Sequence, residues 1–203
     1  MKQAALIQPA VKLWLVRHGQ TDWNLEGRYQ GQADLPLNTN GLLQAKEVAQ
    51  FFIRKQIAAI YSSDLQRAFQ TASAISNLTG VPVQVDQRLR EINQGILEGQ
   101  LFSIIKVKYP ELMLMRRSDP LHARPPGGET VWEVAKRVYQ VVNEISTQYA
   151  EQEVVIVSHG LSLATLLVHS AGAPLENAFK YIPDNAAPLM VEWRSNGANH
   201  PSI

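Results

Sequence analysis

Two runs of apolar residues, Leu13-Trp14-Leu15-Val16 and Val154-Val155-Ile156-Val157, each stop abruptly at a polar turn: Arg17-His18-Gly19 after the first, Ser158-His159-Gly160 after the second. A strand that is apolar on both faces belongs in a sheet covered on both sides, the habit of parallel sheets. In such sheets ligand sites lie outside the carboxyl ends of the strands. A buried strand ending at a cation, an imidazole and a glycine therefore points to a phosphate-handling turn. Arginine offers a rigid donor fork matched to phosphate oxygens. Histidine can be a nucleophile at neutral pH, and glycine lets the backbone approach closely.

The rest of the chain keeps the same alternation. Ile57 to Tyr61 and Val81 to Val85 read as further strands, with Pro82 placing the pairing of the latter late or on an edge. Pro188 to Trp193 could close the sheet as a last edge strand. Helical spacing links Leu42, Ala45, Ala49 and Phe52, then Leu65, Ala68, Ala72 and Ile75 behind a Ser63–Gln66 capping-box pattern. Thr130 with Glu133 makes a second capping box, followed by Val131, Ala135, Val138, Val142, Ile145 and Tyr149 on one face. A final helix spans Leu161 to Ser170. The expected fold is α/β: a three-layer α/β/α sandwich with a mostly parallel central sheet and an antiparallel edge strand. One domain over residues 1–203 is the expectation from length. Gly27 to Asn40 reads as a long loop on the carboxyl side of the sheet, and long ordered loops are often functional. Residues 101–126, broken by Pro110, Pro120, Pro125 and Pro126, read as short helices and loops inserted above the sheet, a lid or specificity region.

Composition narrows the class. Lys and Arg total 19 against 18 Asp and Glu, so no global field favours nucleic acid or an anionic membrane, and anion specificity must be local. The absence of cysteine removes disulfides, thiolate ligands and thiol nucleophiles. No apolar run approaches the roughly 20 residues needed to span a bilayer, and Met1 to Ala10 lacks the long apolar stretch of a secretory signal. A cytoplasmic enzyme or binding protein, with no nucleic-acid or membrane partner, is the expectation.

Four groups fall at comparable places. Arg17-His18-Gly19 follows the first strand, Arg67 lies one turn into the helix after the second, Glu91 comes soon after the third, and His159-Gly160 follows the strand of Val154 to Val157. Two arginines, two histidines and a carboxylate are a sensible kit for phosphoryl transfer. The arginines neutralise phosphate oxygens, one imidazole attacks phosphorus, the other stabilises equatorial charge, and the carboxylic acid protonates the departing alkoxide. Glu98 is a competing carboxylate, with turn capping as its other role, and Asn24 could bond its own backbone. A metallohydrolase with His18, His159 and Glu91 as ligands is the alternative enzyme. Two arginines beside those groups would repel a divalent cation, and the histidines lack close metal-ligand spacing. No metal or cofactor is expected.

These motifs read Leu15-Val16-Arg17-His18-Gly19-Gln20-Thr21, Tyr61-Ser62-Ser63-Asp64-Leu65-Gln66-Arg67-Ala68, Leu89-Arg90-Glu91-Ile92, Pro126-Gly127-Gly128-Glu129-Thr130 and Val157-Ser158-His159-Gly160. Together they resemble the histidine phosphatase superfamily, in the branch holding cofactor-dependent phosphoglycerate mutases and small phosphatases. The resemblance implies His18 as the nucleophile that becomes phosphohistidine, with Arg17, Arg67 and His159 lining the phosphate pocket. It implies Glu91 as proton donor and later base for water, Asn24 as a further phosphate contact, and Gln30 and Gly31 as a loop facing the rest of a small phosphorylated substrate. Mutases of this family tend to carry Glu-Arg-His-Tyr-Gly at the acid, where this chain has Glu91-Ile92-Asn93-Gln94-Gly95. The stretch from Glu91 to His159 is also short for a mutase, which favours a phosphatase. A mutase is the alternative, and an inactive phosphate-binding protein a lesser one. Arg116-Arg117 could hold a carboxylate or second phosphate, or be a solvated pair. His122, Arg124 and Phe102 are other candidates for substrate contact.

Overall fold

The two apolar runs are neighbours at the centre of one sheet. The computed structural model describes residues 9–194; residues 1–8, most of the stretch read for a leader, lie outside that range. The strands are β1 (Val11–Arg17), β2 (Ile57–Ser62), β3 (Val83–Val85), β4 (Glu153–Ser158) and β5 (Pro188–Trp193). The helices are α1 (Asp22–Glu26), α2 (Thr39–Phe52), α3 (Gln66–Thr79), α4 (Phe102–Lys108), α5 (Pro110–Ser118), α6 (Val131–Gln148) and α7 (Gly160–Ser170). Strand order is β3-β2-β4-β1-β5. All neighbours are parallel except the β1–β5 pair, so the antiparallel edge strand is where the sequence placed it. β3 starts at Val83, after Pro82, on the opposite edge.

Strand alternation sorts side chains to two faces. Leu13, Leu15, Val154 and Ile156 pack with α6 and α7, while Val16, Val155, Val157 and Ile60 pack with α2 and α3. Each fully buried side chain of this kind contributes about 1.5–3 kcal/mol. A one-residue slip of either central strand would exchange the two sets, so register is strongly specified. That register sets Arg17 beside Ser158, and the His18 N–H donates to the Ser158 carbonyl at 2.9 Å. The two histidines therefore leave the sheet side by side.

The Thr130–Glu133 capping box forms as expected, each side chain serving the other's backbone N–H. The Ser63–Gln66 box does not. Leu65 is the N-cap of α3 and makes no side-chain cap bond. Instead the Gln66 backbone and side-chain amides both donate to Asp34 from the preceding loop. An ionised carboxylate at a helix N-terminus meets the dipole better than a glutamine can. Helix α1 precedes the long loop and has no counterpart in the sequence reading; a reciprocal Thr21–Asn24 cap holds it. Residues 101–126 carry α4 and α5 over a small cluster of their own, Leu97, Ile105 and Leu112 against Tyr29 and Tyr109. Among the described residues no helix is long and apolar enough to cross a membrane.

Candidate active site

The carboxyl ends of β1 and β4 open into a cavity of about 330 Å³ whose lining includes Arg17, His18, Asn24, Gln30, Gly31, Arg67, Glu91 and Gly160. His159 adjoins it, buried, with its ring centroid 5.2 Å from that of His18.

His18 is only 3% exposed, and its Nδ1 lies 2.7 Å from the Gly19 carbonyl. A carbonyl only accepts, so Nδ1 carries the proton and Nε2 keeps its lone pair. Burial, then the charges of Arg67 and Arg17, hold the imidazole well below its ordinary range, with the Gly19 bond opposing them. The ring is therefore neutral at pH 7. Its backbone is pinned as well: Asn185 Nδ2 donates to the His18 carbonyl at 2.7 Å, and the Gly19 N–H donates to Thr71 Oγ1 at 3.0 Å. A Cβ on Gly19 would meet the Gly41 carbonyl at 2.5 Å, which is why α2 can pass so close.

Arg67 is fully buried. Its Nη1 and Nη2 donate to the Ala33 and Gly31 carbonyls, each at 2.7 Å. Desolvation lowers its pKa to about 10, which still leaves a full cation at neutral pH. Gly31 makes this possible with a left-handed φ of +52°, because a Cβ there would collide with the Glu98 carboxylate. Glu98 accepts from the Gln32 and Gln94 N–H groups; it shapes the turn and is not among the groups lining the cavity. Arg17 gives Nη1 to the Pro183 carbonyl at 2.9 Å, and its pKa is lowered by burial against the opposing pull of Glu91 and Asp184.

Buried polar atoms without a protein partner include Arg17 Nε, Arg67 Nε, both ring nitrogens of His159 and Gln30 Oε1. Orphaned buried groups are costly, and a native structure carries few of them. Four of these five atoms belong to the two arginines and His159 that the sequence grouped around a phosphate, so the cluster matches an oxyanion in charge and donor chemistry. His159 is held well below the ordinary imidazole range by burial first, then by Arg67 and His18.

Glu91 is fixed from both ends. Its carboxylate accepts from the N–H groups of Ile92 at 2.9 Å, Leu161 at 3.1 Å and Ser162 at 3.3 Å, the last two at the start of α7. Its backbone is clasped by Arg137, which donates to the carbonyls of Arg88, Arg90 and Glu91 and closes a two-pronged ion pair with Glu129 at 3.0 Å. Ser158 Oγ and Ser162 Oγ donate to the Leu89 and Arg90 carbonyls, both at 2.6 Å. Arg90 pairs with Asp64, tying this segment to the Ser62-Ser63-Asp64 turn.

All five residues of the expected chemical kit therefore converge, four of them in the lining with His159 adjoining, and Asn24, Gln30 and Gly31 line the cavity as well. Asn24 also bonds its own neighbourhood, its Oδ1 accepting from the Thr21 N–H at 3.1 Å. The outer candidates fare differently. Phe102 lines the cavity, but Arg116, Arg117, His122 and Arg124 do not. His122 pairs with Asp119, and Arg124 with Glu133. Arg116 is half-buried and donates to the Tyr29 hydroxyl and to Gln94 Oε1, while Arg117 is exposed. Sequence reasoning misses Tyr29, Phe179 and Ile182 in the lining and the Arg137–Glu129 clasp. Arg137 sits on the polar face of α6, where any solvated arginine would look the same. Only Glu129, inside the Gly-Gly-Glu motif, gives a signal.

Comparison with known proteins agrees with this geometry. The family described as histidine phosphatase superfamily (branch 1) matches residues 13–201. The chain is 35% identical over 181 residues to phosphoserine phosphatase 1 of Hydrogenobacter thermophilus, covering 89% of this chain and 86% of that one. It is 36% identical over 164 residues to "Probable phosphoglycerate mutase GpmB" of Yersinia pestis, covering 81% and 76%. A solved mycobacterial glucosyl-3-phosphoglycerate phosphatase complexed with VO3 superposes with a TM-score of 0.80 at 34% identity, over 88% of this chain and 90% of that one.

Proposed function

This chain belongs to the histidine phosphatase superfamily and is a phosphatase of it, and from that premise we propose that it hydrolyses small phosphomonoesters through a phosphohistidine on His18, with Glu91 as proton donor. The observation that carries the reading is the His18 tautomer. The Gly19 carbonyl holds the Nδ1 proton, so the Nε2 lone pair is available beside the unpartnered donors of Arg17 and Arg67. Phosphate oxygens accept from those guanidiniums and from His159. Nε2 then attacks phosphorus, the phosphorus–oxygen ester bond breaks, and Glu91 passes its proton to the departing alkoxide. In the second half Glu91 takes a proton from water as the water attacks the phosphohistidine, releasing inorganic phosphate and restoring both groups.

Two arginines supply the positive charge that a metal supplies in other phosphoryl-transfer sites, so the proposed reaction needs neither metal nor cofactor. In this reading residues 101–126 form a cover over the cavity, reaching it through Phe102. Segment Glu91 to Gly95 lacks the basic and aromatic residues that a mutase carries there, which favours water as acceptor.

A phosphomonoester panel run on wild type and His18→Ala tests this. Expected are turnover that survives EDTA, inhibition by vanadate and complete loss in His18→Ala. Full activity in His18→Ala would sink the mechanism. Bisphosphate-dependent isomerisation of 3-phosphoglycerate faster than its hydrolysis would replace hydrolase by mutase, and phosphate binding without turnover would make the chain a binding protein.

A further inference from the structure

Beyond the phosphate end the cavity changes character. Besides the charged and polar groups, its lining holds Tyr29, Ile92, Phe102, Leu161, Phe179 and Ile182. Phe102, Phe179 and Ile182 are 41%, 42% and 41% exposed, so much of this apolar surface stands in water at the entrance to the cavity. The Tyr29 and Phe102 rings lie 5.8 Å apart, tilted by 37°. Apolar surface of this kind gains from covering by a second apolar face.

The charges available there point the same way. A leaving group bearing a carboxylate needs a cation with free donors. Besides Arg17 and Arg67, the one described cationic side chain lining the cavity is Arg28. Its Nε donates to Glu26 Oε2 and its Nη1 to the Gly99 carbonyl at 2.8 Å, so its charge is already balanced. Arg116, outside the lining, is occupied by Tyr29 and Gln94 and lies 5.5 Å from the Tyr29 ring centroid. Lys106 lies over the Phe102 ring at 4.2 Å. Lys106 and Arg116 both stand outside the lining, so among the described residues the cavity itself offers a second anion only Arg28, which is already engaged.

We propose that the leaving group this site selects is a neutral alcohol with a flat apolar face, and that phosphomonoesters carrying a carboxylate beside the ester are disfavoured. The proposal rests on the phosphatase reading and adds the substrate class to it.

Esters with alkyl leaving oxygens test it without changing the bond being broken. kcat/KM would be measured for 2-phenylethyl phosphate, glycerol 3-phosphate, phosphoserine and 3-phosphoglycerate, in wild type, His18→Ala, Phe102→Ala, Phe179→Ala and Arg28→Gln. The expected result is that 2-phenylethyl phosphate exceeds both acids by about tenfold or more, the scale of one aromatic contact. Phe102→Ala and Phe179→Ala should each shrink its advantage over glycerol 3-phosphate several-fold. A preference for phosphoserine or 3-phosphoglycerate overturns the proposal. So does a tenfold loss on those acids alone in Arg28→Gln, which would make Arg28 their receptor. Absence of His18-dependent turnover on every ester would instead overturn the phosphatase reading beneath it.

Discussion

Removing the Arg137 guanidinium should separate acid catalysis from simple folding. Arg137 makes five hydrogen bonds, three of them to the carbonyls of Arg88, Arg90 and Glu91. Its ion pair with Glu129 is mostly buried, with side-chain exposures of 17% and 24%. Breaking a fully buried pair costs about 3–5 kcal/mol and an exposed one about 0–1 kcal/mol, so Arg137→Ala should cost roughly 2–3 kcal/mol of stability. The effect on chemistry is of a different kind. With its clasp gone, the backbone carrying Glu91 can drift from the leaving oxygen. A displaced general acid forfeits part of the about 10²–10⁴-fold it supplies, and about 10²-fold is the scale of an ångström-sized misplacement. That loss falls on alkyl phosphates, whose leaving alkoxide needs a proton, and spares p-nitrophenyl phosphate, whose phenolate leaves unaided. The assay is kcat/KM on both substrates, because kcat/KM reports formation of the phosphoenzyme and is blind to its hydrolysis. Expected are a fall of about 10²-fold on the alkyl ester and less than about fivefold on the aryl ester. Arg137→Lys should recover stability before it recovers the alkyl rate, since an ammonium lacks the planar fork. Equal losses on the two esters would refute the reasoning and leave Arg137 a purely structural residue.

The buried histidines make stability depend on pH. His18 and His159 are both held well below the ordinary imidazole range, chiefly by burial, so the unfolded chain binds more protons than the folded one once pH drops below about 6.5. Their contribution is complete above that pH and is lost as pH falls toward the folded values, at a slope of at most about 1.4 kcal/mol per pH unit for each histidine. Urea midpoints between pH 7 and 5 should fall in wild type and fall less steeply in His159→Gln; parallel slopes would show that His159 is not charged by unfolding. Arg67→Lys keeps the charge but replaces a planar fork, whose two terminal nitrogens reach the Ala33 and Gly31 carbonyls while Nε is left over, by a single nitrogen. Its kcat/KM should fall about 10²–10³-fold, and a loss within threefold would mean that charge alone suffices. Gly19→Ala forces a Cβ to within 2.5 Å of the Gly41 carbonyl, an overpacking of about 1–3 kcal/mol visible as a lowered urea midpoint, with an unchanged midpoint refuting the tight approach of α2.

Much of this molecule is legible in its residues because the relevant signals are local. The apolar runs at Leu13–Val16 and Val154–Val157 announce buried strands, and the histidine-glycine turn ending each run marks the site. Pro82 marks an edge strand through the donor it lacks. The errors occur where long-range partners override local ones. Asp34 takes the start of α3 that Ser63 and Gln66 were expected to cap, and nothing in the sequence near Gln66 announces a carboxylate 32 residues away. Arg116 reads as one half of a solvated or anion-binding pair, whereas Tyr29 and Gln94 claim it. Phe179 and Ile182 come from the 3₁₀ helix Leu175–Tyr181 after α7 and the residue that ends it, too short a segment for sequence periodicity to reveal which way they face.

The helix ends bear on why the proposed reaction calls on arginine. Helix N-termini are ready anion sites, and the starts of α3 and α7 lie beside this cavity, supplying Arg67, Gly160 and Leu161 to its lining. Both are already occupied by the protein's own carboxylates: Asp34 takes the Gln66 N–H of α3, and Glu91 takes the Leu161 and Ser162 N–H groups of α7. A phosphate arriving at His18 must therefore be met by side chains, and Arg17 and Arg67 hold their Nε donors there without a protein partner. With both histidines neutral, the positive charge that meets a phosphate in the proposed reaction comes from the two guanidiniums. Glu91→Gln, which keeps the acceptor oxygen but cannot donate a carboxylic proton, should lose about 10²-fold or more on alkyl phosphates while retaining vanadate binding. Loss of vanadate binding instead would show that Glu91 serves the pocket's shape and not its proton transfer.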